Sequence, residues 1–347
     1  MSSFKALTMN DIAKALNLSA STVSKALSDS YEISEKTKKL VNDYAKQNNY
    51  RPNLIAQSLK QGRSNAIGVV VASVDNPFLS QVINGIESVA YNEGYNIIFT
   101  QTHESYESEV KNVNHLAHRS VDGLLVALST ETHNIEHLKN LQEHGLPIVF
   151  FDRVTDDIDT HKVIVDNLNG AYNATYHLID QGYKNIAHLT SSESTSVTRE
   201  RLAGYEKALA INNLPIDAEL IRYCSSGGRD RDEVRAALDH FFAMEQPPDA
   251  IFTAFDKITT VTLSLLREMK KQVPDDIALL GFTNTVLADI LNPPLTTVYQ
   301  PGFEMGKEAT RMLINLIKTE LPVSKFETKV LATELFVRES CPPKKNR

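Results

Sequence analysis

The chain has 347 residues and a mass of 38.7 kDa, enough for two or three domains with sizeable cores. Its 42% apolar and 23% charged residues are ordinary for a globular protein and exclude disorder, and no apolar run approaches the roughly 18 residues of a membrane span. The net charge of −7 hides an asymmetry: residues 1–63 carry +5 and the remainder −12, a basic head on an acidic body, as expected when only the head meets nucleic acid.

In chain order, the opening TMNDIAKALNLSASTVSKALSD predicts two short helices joined by a tight turn. Thr8 is a good N-cap, and Asp11 can reach back to it as in a capping box. Ile12, Ala13 and Leu16 give the first helix one apolar side. Asn17, tolerant of a left-handed backbone, falls at the turn. Ser19 caps the second helix, whose Val23, Ala26 and Leu27 face inward. The remaining face carries Ala20, Ser21, Thr22, Ser24 and Lys25, small, polar or basic groups suited to base edges and phosphates.

The next segment, ISEKTKKLVNDYAKQNNYRPN, predicts a third helix capped by Ser34, with Val41, Tyr44 and Ala45 on its core side. Asn53 then caps a short run, LIAQSLKQG, that Gly62 can end. At this point the chain resembles the lactose-repressor/galactose-repressor family of bacterial transcription regulators. The resemblance rests on Asp11, Ile12, Ala13, Ser19, Thr22, Val23, Ser24 and Leu27, on the YRPN of Tyr50–Asn53, and on Ala56, Ser58 and Leu59.

From Ala66 on, continuous apolar runs alternate with amphipathic stretches. The runs 66–72, 95–101, 123–128, 147–152 and 161–166 form one series; 185–191, 220–226, 250–255 and 277–283 form a second. Such runs separated by helices predict parallel strands buried on both faces, in two α/β units facing each other across a cleft. The body resembles the same family through Asn76-Pro77-Phe78, Phe151-Asp152-Arg153, Asp166-Asn167, Arg201, Gly204-Tyr205, Gly281-Phe282 and Pro294-Leu295-Thr296-Thr297.

The expected fold is therefore a small all-α helix-turn-helix headpiece followed by an α/β, periplasmic-binding-protein-like core of two doubly wound parallel-sheet subdomains. The expected boundaries are 1–52 for the headpiece, 53–64 for a hinge helix and linker, and 65–347 for the core. The family fold implies three crossings, near residues 166, 294 and 325. The first subdomain is then 65–166 with 295–325, the second 167–294 with 326–347.

The resemblance implies that Ala20, Ser21 and Lys25 meet base edges while Ser19, Thr22 and Ser24 hold phosphates; Thr8, Tyr50 and Asn53 join that surface. In the hinge, Ala56, Gln57, Leu59 and Lys60 are expected at the minor groove, with Leu59 as a wedge that unstacks a base step and bends the duplex. Gln57 stands where the family commonly has arginine. The hinge is too short to be stable as a lone helix, so it is expected to order on DNA and against its mate in a dimer.

In the cleft, Asn76, Phe78, Asp152, Arg153, Arg201 and Gln300 are implied around a small effector, with Phe255, Asp256 and Thr283 nearby. Asp and Arg suit vicinal hydroxyls or a carboxylate, and Phe78 suits a ring. Phe255-Asp256 and Thr283-Asn284 depart from the pairs the family often has there, so the effector is expected to differ from a plain free hexose. A sugar phosphate, a disaccharide, a nucleobase and a partner protein stay open.

No Gly-rich phosphate loop, nucleophile elbow or H-E-x-x-H motif is present, which argues against an enzyme. His133 and His137 have metal-ligand spacing but no acidic partner at useful spacing, so an exposed polar face is expected. Cys224 and Cys341 are expected as reduced thiols. No apolar segment resembles a secretory signal in MSSFKALTMND. The expectation is a cytosolic homodimeric regulator, a repressor, without cofactor or membrane partner. It is expected to bind a pseudo-palindromic operator in double-stranded DNA under the control of a sugar-like effector. The tail lacks leucine heptads, which favours a dimer over a tetramer. The alternative is a cytosolic sensor or solute-binding protein whose DNA binding is lost or needs a co-repressor.

Overall fold

The computed structural model describes residues 7–50, 63–319, 323 and 325–344. The chain separates into two compact units, divided between Ser64 and Asn65. Asn53, Ala56, Gln57, Leu59 and Lys60, expected to contact DNA, lie outside the described residues, as do the remaining residues of 51–62.

Among its described residues the first unit holds three helices, α1 (Met9–Ala15), α2 (Ala20–Leu27) and α3 (Glu35–Gln47). Each begins where a short side chain replaces a missing helical partner for a backbone amide. Thr8 Oγ1 accepts from Asp11 N at 3.2 Å while Asp11 Oδ2 accepts from Thr8 N at 2.9 Å, a closed capping box. Ser19 and Ser34 cap α2 and α3 through the amides of Thr22 and Thr37. Asn17 takes φ +54° at the turn between α1 and α2. Ile12, Val23 and Val41 are fully buried at the centre, ringed by Ala13, Ala26 and Ala45.

The second unit contains two six-stranded sheets. The first lobe is built from β1 (Ala66–Val71), α4 (Pro77–Asn92), β2 (Asn96–Gln101), α5 (Tyr106–His118), β3 (Gly123–Val126), α6 (Glu136–Glu143), β4 (Ile148–Phe151) and β5 (Lys162–Val165). The second takes α7 (Asn167–Asp180), β6 (Ile186–Thr190), α8 (Ser196–Ile211), β7 (Ile221–Tyr223), α9 (Arg231–Ala243), β8 (Ala250–Thr253), α10 (Asp256–Glu268), β9 (Ala278–Phe282) and β10 (Thr296–Tyr299). The chain then returns through α11 (Gly302–Lys318) and β11 (Thr328–Leu331) to the first lobe, and ends with β12 (Glu334–Phe336) on the second.

The sheet orders are β11-β5-β4-β3-β1-β2 and β12-β10-β9-β8-β6-β7, parallel throughout except for the antiparallel edge strand β12. Helices on both faces explain the unbroken apolar runs. In β1, Val69 and Val71 pack towards α4 and α11, and Val70 packs towards α5 and α6. Two glycines let α4 and α11 touch backbone to backbone. A Cβ on Gly85 would lie 2.0 Å from Phe303 O, and one on Gly306 would lie 2.0 Å from Val82 O.

Two of the expected crossings move. Thr296, Thr297 and Val298 pair with β9, so the second crossing follows Tyr299 rather than lying near residue 294. The Asn292-Pro293-Pro294 turn looks like a boundary in sequence, but it only joins two neighbouring strands of one sheet. Residues 328–331 pair with β5, so the third crossing follows Leu331 rather than lying near residue 325. As an edge strand β11 is half exposed, and it lacks the continuous apolar run that marks a central strand.

Candidate DNA-binding face and ligand cleft

In the headpiece, α2 turns its apolar side to α1 and α3, which leaves Ser21 and Lys25 exposed and Ala20, Thr22 and Ser24 partly covered. Ser19 Oγ lies 2.8 Å from both Ser21 Oγ and Thr22 Oγ1, so three hydroxyls cluster at the start of this helix. The helix N-terminus and these hydroxyls suit a phosphate. Lys25 is engaged rather than free: its ammonium pairs with the Glu32 carboxylate on the loop before α3. Thr8 is committed to the capping box, and Tyr50 packs against the edge of the headpiece core.

The cleft lies between the two lobes of the core. Among the described residues, polar contacts bridge it from Ser194 Oγ to Thr130 O at 2.8 Å, Arg229 Nη1 to His103 O at 2.5 Å, Asn284 Nδ2 to Gln81 Oε1 at 2.6 Å, Tyr299 Oη to Gln81 Oε1 at 3.4 Å, and Lys257 to Asp75 at 3.6 Å. At its centre stands Arg201, on α8, with 2% of its surface exposed. Its Nε donates to Asn167 Oδ1 at 2.9 Å and its Nη2 to Gln300 Oε1 at 2.6 Å, while Nη1 donates to Ala254 O. The guanidinium lies 3.7 Å from the centroid of the Phe282 ring and 5.1 Å from that of Phe255. Burial lowers its pKa to about 9, against the pull of Asp152, so it is charged at neutral pH. A guanidinium has five N–H groups; two here have no partner among the described residues.

Asp152 sits at the end of β4 with φ +59°. Burial raises its pKa, opposed by Arg153 and Arg201. Nothing among the described residues donates to its carboxylate, so it stands ready to accept from a ligand. Arg153, in contrast, is held inside the first lobe: its Nη1 donates to Glu104 Oε2 at 2.5 Å and to Thr130 Oγ1 at 3.2 Å. Burial alone would raise Glu104, but Arg153 and the Thr130 donors outweigh it and bring the pKa to about 2.

The other expected residues divide in the same way. Asp256 is turned inward, accepting from Thr283 Oγ1 at 2.8 Å and Asn284 N at 3.1 Å, with its pKa raised by burial. Thr283 is thereby spent on the second lobe itself. Asn76 Oδ1 accepts the amides of Phe78 and Leu79, so this side chain is the N-cap of α4. Phe78 is only 4% exposed and packs in the first-lobe core. Of the expected effector residues, Asp152 keeps an unpaired carboxylate and the Phe255 ring is partly exposed, beside the buried Arg201 with its two unpartnered N–H groups.

The comparisons agree with this architecture. Residues 8–53 match the model of bacterial regulatory proteins of the lacI family, and residues 175–341 match that of a periplasmic binding protein-like domain. The HTH-type transcriptional repressor PurR of Vibrio campbellii is 34% identical over 90% of this chain and 92% of its own. The crystal structure of the lac repressor dimer bound to operator and the anti-inducer ONPF covers 97% of this chain and 100% of its own, with 25% identity and a TM-score of 0.81. A complex of the transcriptional regulator CelR with cellobiose covers 96% and 99%, with 27% identity and a TM-score of 0.71.

The chain belongs to the lacI family of bacterial regulatory proteins. It is a DNA-binding transcription regulator of the repressor type and not an enzyme. No helix among the described residues is long and apolar enough to cross a membrane. No group of three or more His, Cys, Asp or Glu side chains among them could hold a metal ion.

Several groups that shape the family cleft here give no signal in sequence. Glu104 meets Arg153 across 49 positions, with no motif around it. His137, expected on an exposed face, has a side chain 5% exposed, 3.2 Å from the buried Glu109 carboxylate. The acidic partner lies on another helix, beyond any local spacing. Asn284 ties the two lobes to Gln300 as well as to Gln81, accepting from Gln300 N at 3.0 Å.

Proposed function

We propose that this lacI-family repressor acts in the cytosol as a homodimer that grips a pseudo-palindromic operator and responds to a small polyhydroxylated effector bound between its core lobes. The observation that carries the DNA part is the capped helix Ala20–Leu27. Its apolar side is sealed in the headpiece, and its hydroxyl cluster and Lys25 face out. Ala20, Ser21 and Lys25 read base edges, and Ser19, Thr22 and Ser24 hold phosphates. Leu59 is the minor-groove wedge of the hinge.

Dimerisation is supported by an apolar patch on the segment after β9, where Val286 is 85% and Ile290 77% exposed, with Leu287 beside them. Such a patch is costly in water and gains by meeting a second copy of itself. A two-fold protein presents two recognition helices to two half-sites.

For the effector, Asp152 offers an unpaired acceptor, Arg201 two N–H groups, and Phe255 an apolar face. These suit hydroxyls on a ring. Binding that draws the lobes together changes the spacing of the segments leading to the headpieces, and so changes operator affinity.

The test is to incubate the purified full chain with fragmented genomic DNA and sequence what stays bound, with and without a panel of sugars. A shared pseudo-palindrome whose recovery changes with one sugar is the expected result. Recovery without any common sequence would reject the operator reading and leave a sensor that no longer reports on DNA.

A further inference from the structure

His137 stands in the first turn of α6 with a side chain 5% exposed. Its Nε2 lies 3.2 Å from Oε1 of Glu109, a fully buried carboxylate on α5. Among the described residues, neither ring nitrogen of His137 makes a hydrogen bond, and nor does Oε1 of Glu109. A buried carboxylate is costly unless it is paired. Yet no Lys or Arg side chain among the described residues pairs with Glu109. Arg153, whose charge Glu109 supports from nearby, is bonded to Glu104 instead. A proton on His137 gives Glu109 a cation at contact distance.

The surroundings of the imidazole come from three elements. From α5 come Glu109 and the Tyr106 ring, whose centroid lies 5.7 Å from that of His137, edge to face. From the loop between β3 and α6 come His133, its ring 4.4 Å from that of Tyr106, and Glu131, whose Oε2 accepts from Tyr106 N at 3.2 Å. On α6 itself, Glu136 pairs with Lys139 at 3.7 Å. The N-terminal end of a helix disfavours a cation, so a charged His137 depends on the neighbouring carboxylates, Glu109 above all.

Glu109 also holds the loop. Its Oε2 accepts from Ser129 N at 2.7 Å and from Thr132 Oγ1 at 2.8 Å, and Ser129 Oγ lies 2.8 Å from Thr132 Oγ1. Between these two residues stands Thr130, whose carbonyl accepts from Ser194 Oγ of the second lobe at 2.8 Å. One carboxylate thus ties α5 to the loop that meets the second lobe, and its other oxygen faces His137.

We propose that His137 is a proton-binding site that couples pH to closure of the core lobes. With the proton bound, His137 and Glu109 form an ion pair that fixes α6 and residues 129–132 to α5, and Thr130 presents its carbonyl to Ser194. With the proton lost, the Glu109 charge is buried without a counter-charge. The loop then gains by letting water reach that carboxylate, and the contact with Ser194 loosens. Histidine changes charge between about pH 5 and 8, so closure is favoured towards the acid end of that range and opposed towards the alkaline end. The device needs no effector and does not depend on what the cleft binds.

The experiment is fluorescence transfer between dyes on Glu87→Cys of α4 and Ala236→Cys of α9, one on each lobe, in the full chain mixed with an excess of unlabelled chain. Cys224 and Cys341 are fully buried and stay in place. Without effector, the ratio of closed to open lobes is expected to rise by about fivefold or more from the alkaline to the acid end of the range. His137→Gln and Glu109→Gln are each expected to flatten the profile, and His133→Gln, at an exposed ring, to leave it as it was. Glu109→Gln keeps an oxygen for Ser129 and Thr132, so it decides the matter if His137→Gln does not fold.

A flat profile in the chain without these three changes would overturn the proposal, and so would a profile that survives in either His137→Gln or Glu109→Gln. Loss of the profile in His133→Gln would overturn it as well, by assigning the titration to the exposed ring.

Discussion

Arg201 Nη2 donates to Gln300 Oε1 at 2.6 Å, and Gln300 stands one residue past β10, where the chain leaves the second lobe for the first. The charged centre of the cleft is thus bonded to a crossing segment, so under the proposed effector site a ligand that engaged Arg201 would act on the connection between lobes. Arg201→Lys keeps the charge and loses the planar fork. Effector affinity is expected to fall by about tenfold or more, with operator binding in the absence of effector unchanged, by fluorescence anisotropy. Gln300→Leu removes the acceptor from a buried N–H and is expected to cost about 1–3 kcal/mol in urea unfolding.

Acid stability follows from Glu104. Its folded pKa of about 2 lies below the unfolded value of 4.5, so its contribution is present in full above 4.5 and is lost as pH falls towards 2. The size is about 3 kcal/mol at most. Asp152 acts in the opposite sense: burial raises its pKa, so it disfavours the folded state where it is ionised and relents as pH falls. Glu104→Gln is expected to flatten the decline of stability between pH 4.5 and 2, measured by denaturant unfolding at each pH. An unchanged slope would assign the decline to other carboxylates.

In the proposed operator contact Lys25 has to leave Glu32, with which its ammonium is paired. Glu32→Gln is expected to strengthen operator and non-specific binding together by a few fold, since an exposed ion pair is worth at most about 1 kcal/mol. Lys25→Ala is expected to relax preference at one base pair per half-site in a binding-site selection. A uniform loss across sequences would make Lys25 a phosphate contact.

Leu59→Ala is expected to leave the dimer intact and reduce operator bending, measured by fluorescence transfer between the ends of a labelled duplex. Equal bending would remove the wedge.

Val286→Asp with Ile290→Asp is expected to give monomers by sedimentation and to weaken operator binding by at least about tenfold, because each headpiece then binds a half-site alone. A dimer that survives both changes would place the interface elsewhere.

What sequence reveals here is what local chemistry decides. Thr8, Ser19 and Ser34 cap their helices because capping needs only neighbours within three positions. The central strands announce themselves because burial on both faces demands unbroken apolar runs. Edge strands β11 and β12 lack that demand, and the crossings at Tyr299 and Leu331 are set by pairing with strands far away in sequence. The same holds in the cleft. Asn76 and Thr283 carry the right chemistry for a ligand, but the structure commits them to a helix cap and to Asp256. Residue type alone does not distinguish a free acceptor from an engaged one.

The interleaved chain path has a consequence for synthesis. The headpiece is contiguous, and its described helices, α1 to α3, are all made before the core begins. The first lobe begins at Asn65 but lacks a covering helix and an edge strand until residues 302–331 emerge, after almost the whole second lobe has been translated. The face of β1–β4 that α11 finally seals must wait, apolar and uncovered, through that interval. A nascent chain of this protein therefore presents its DNA-binding head well before its core is closed.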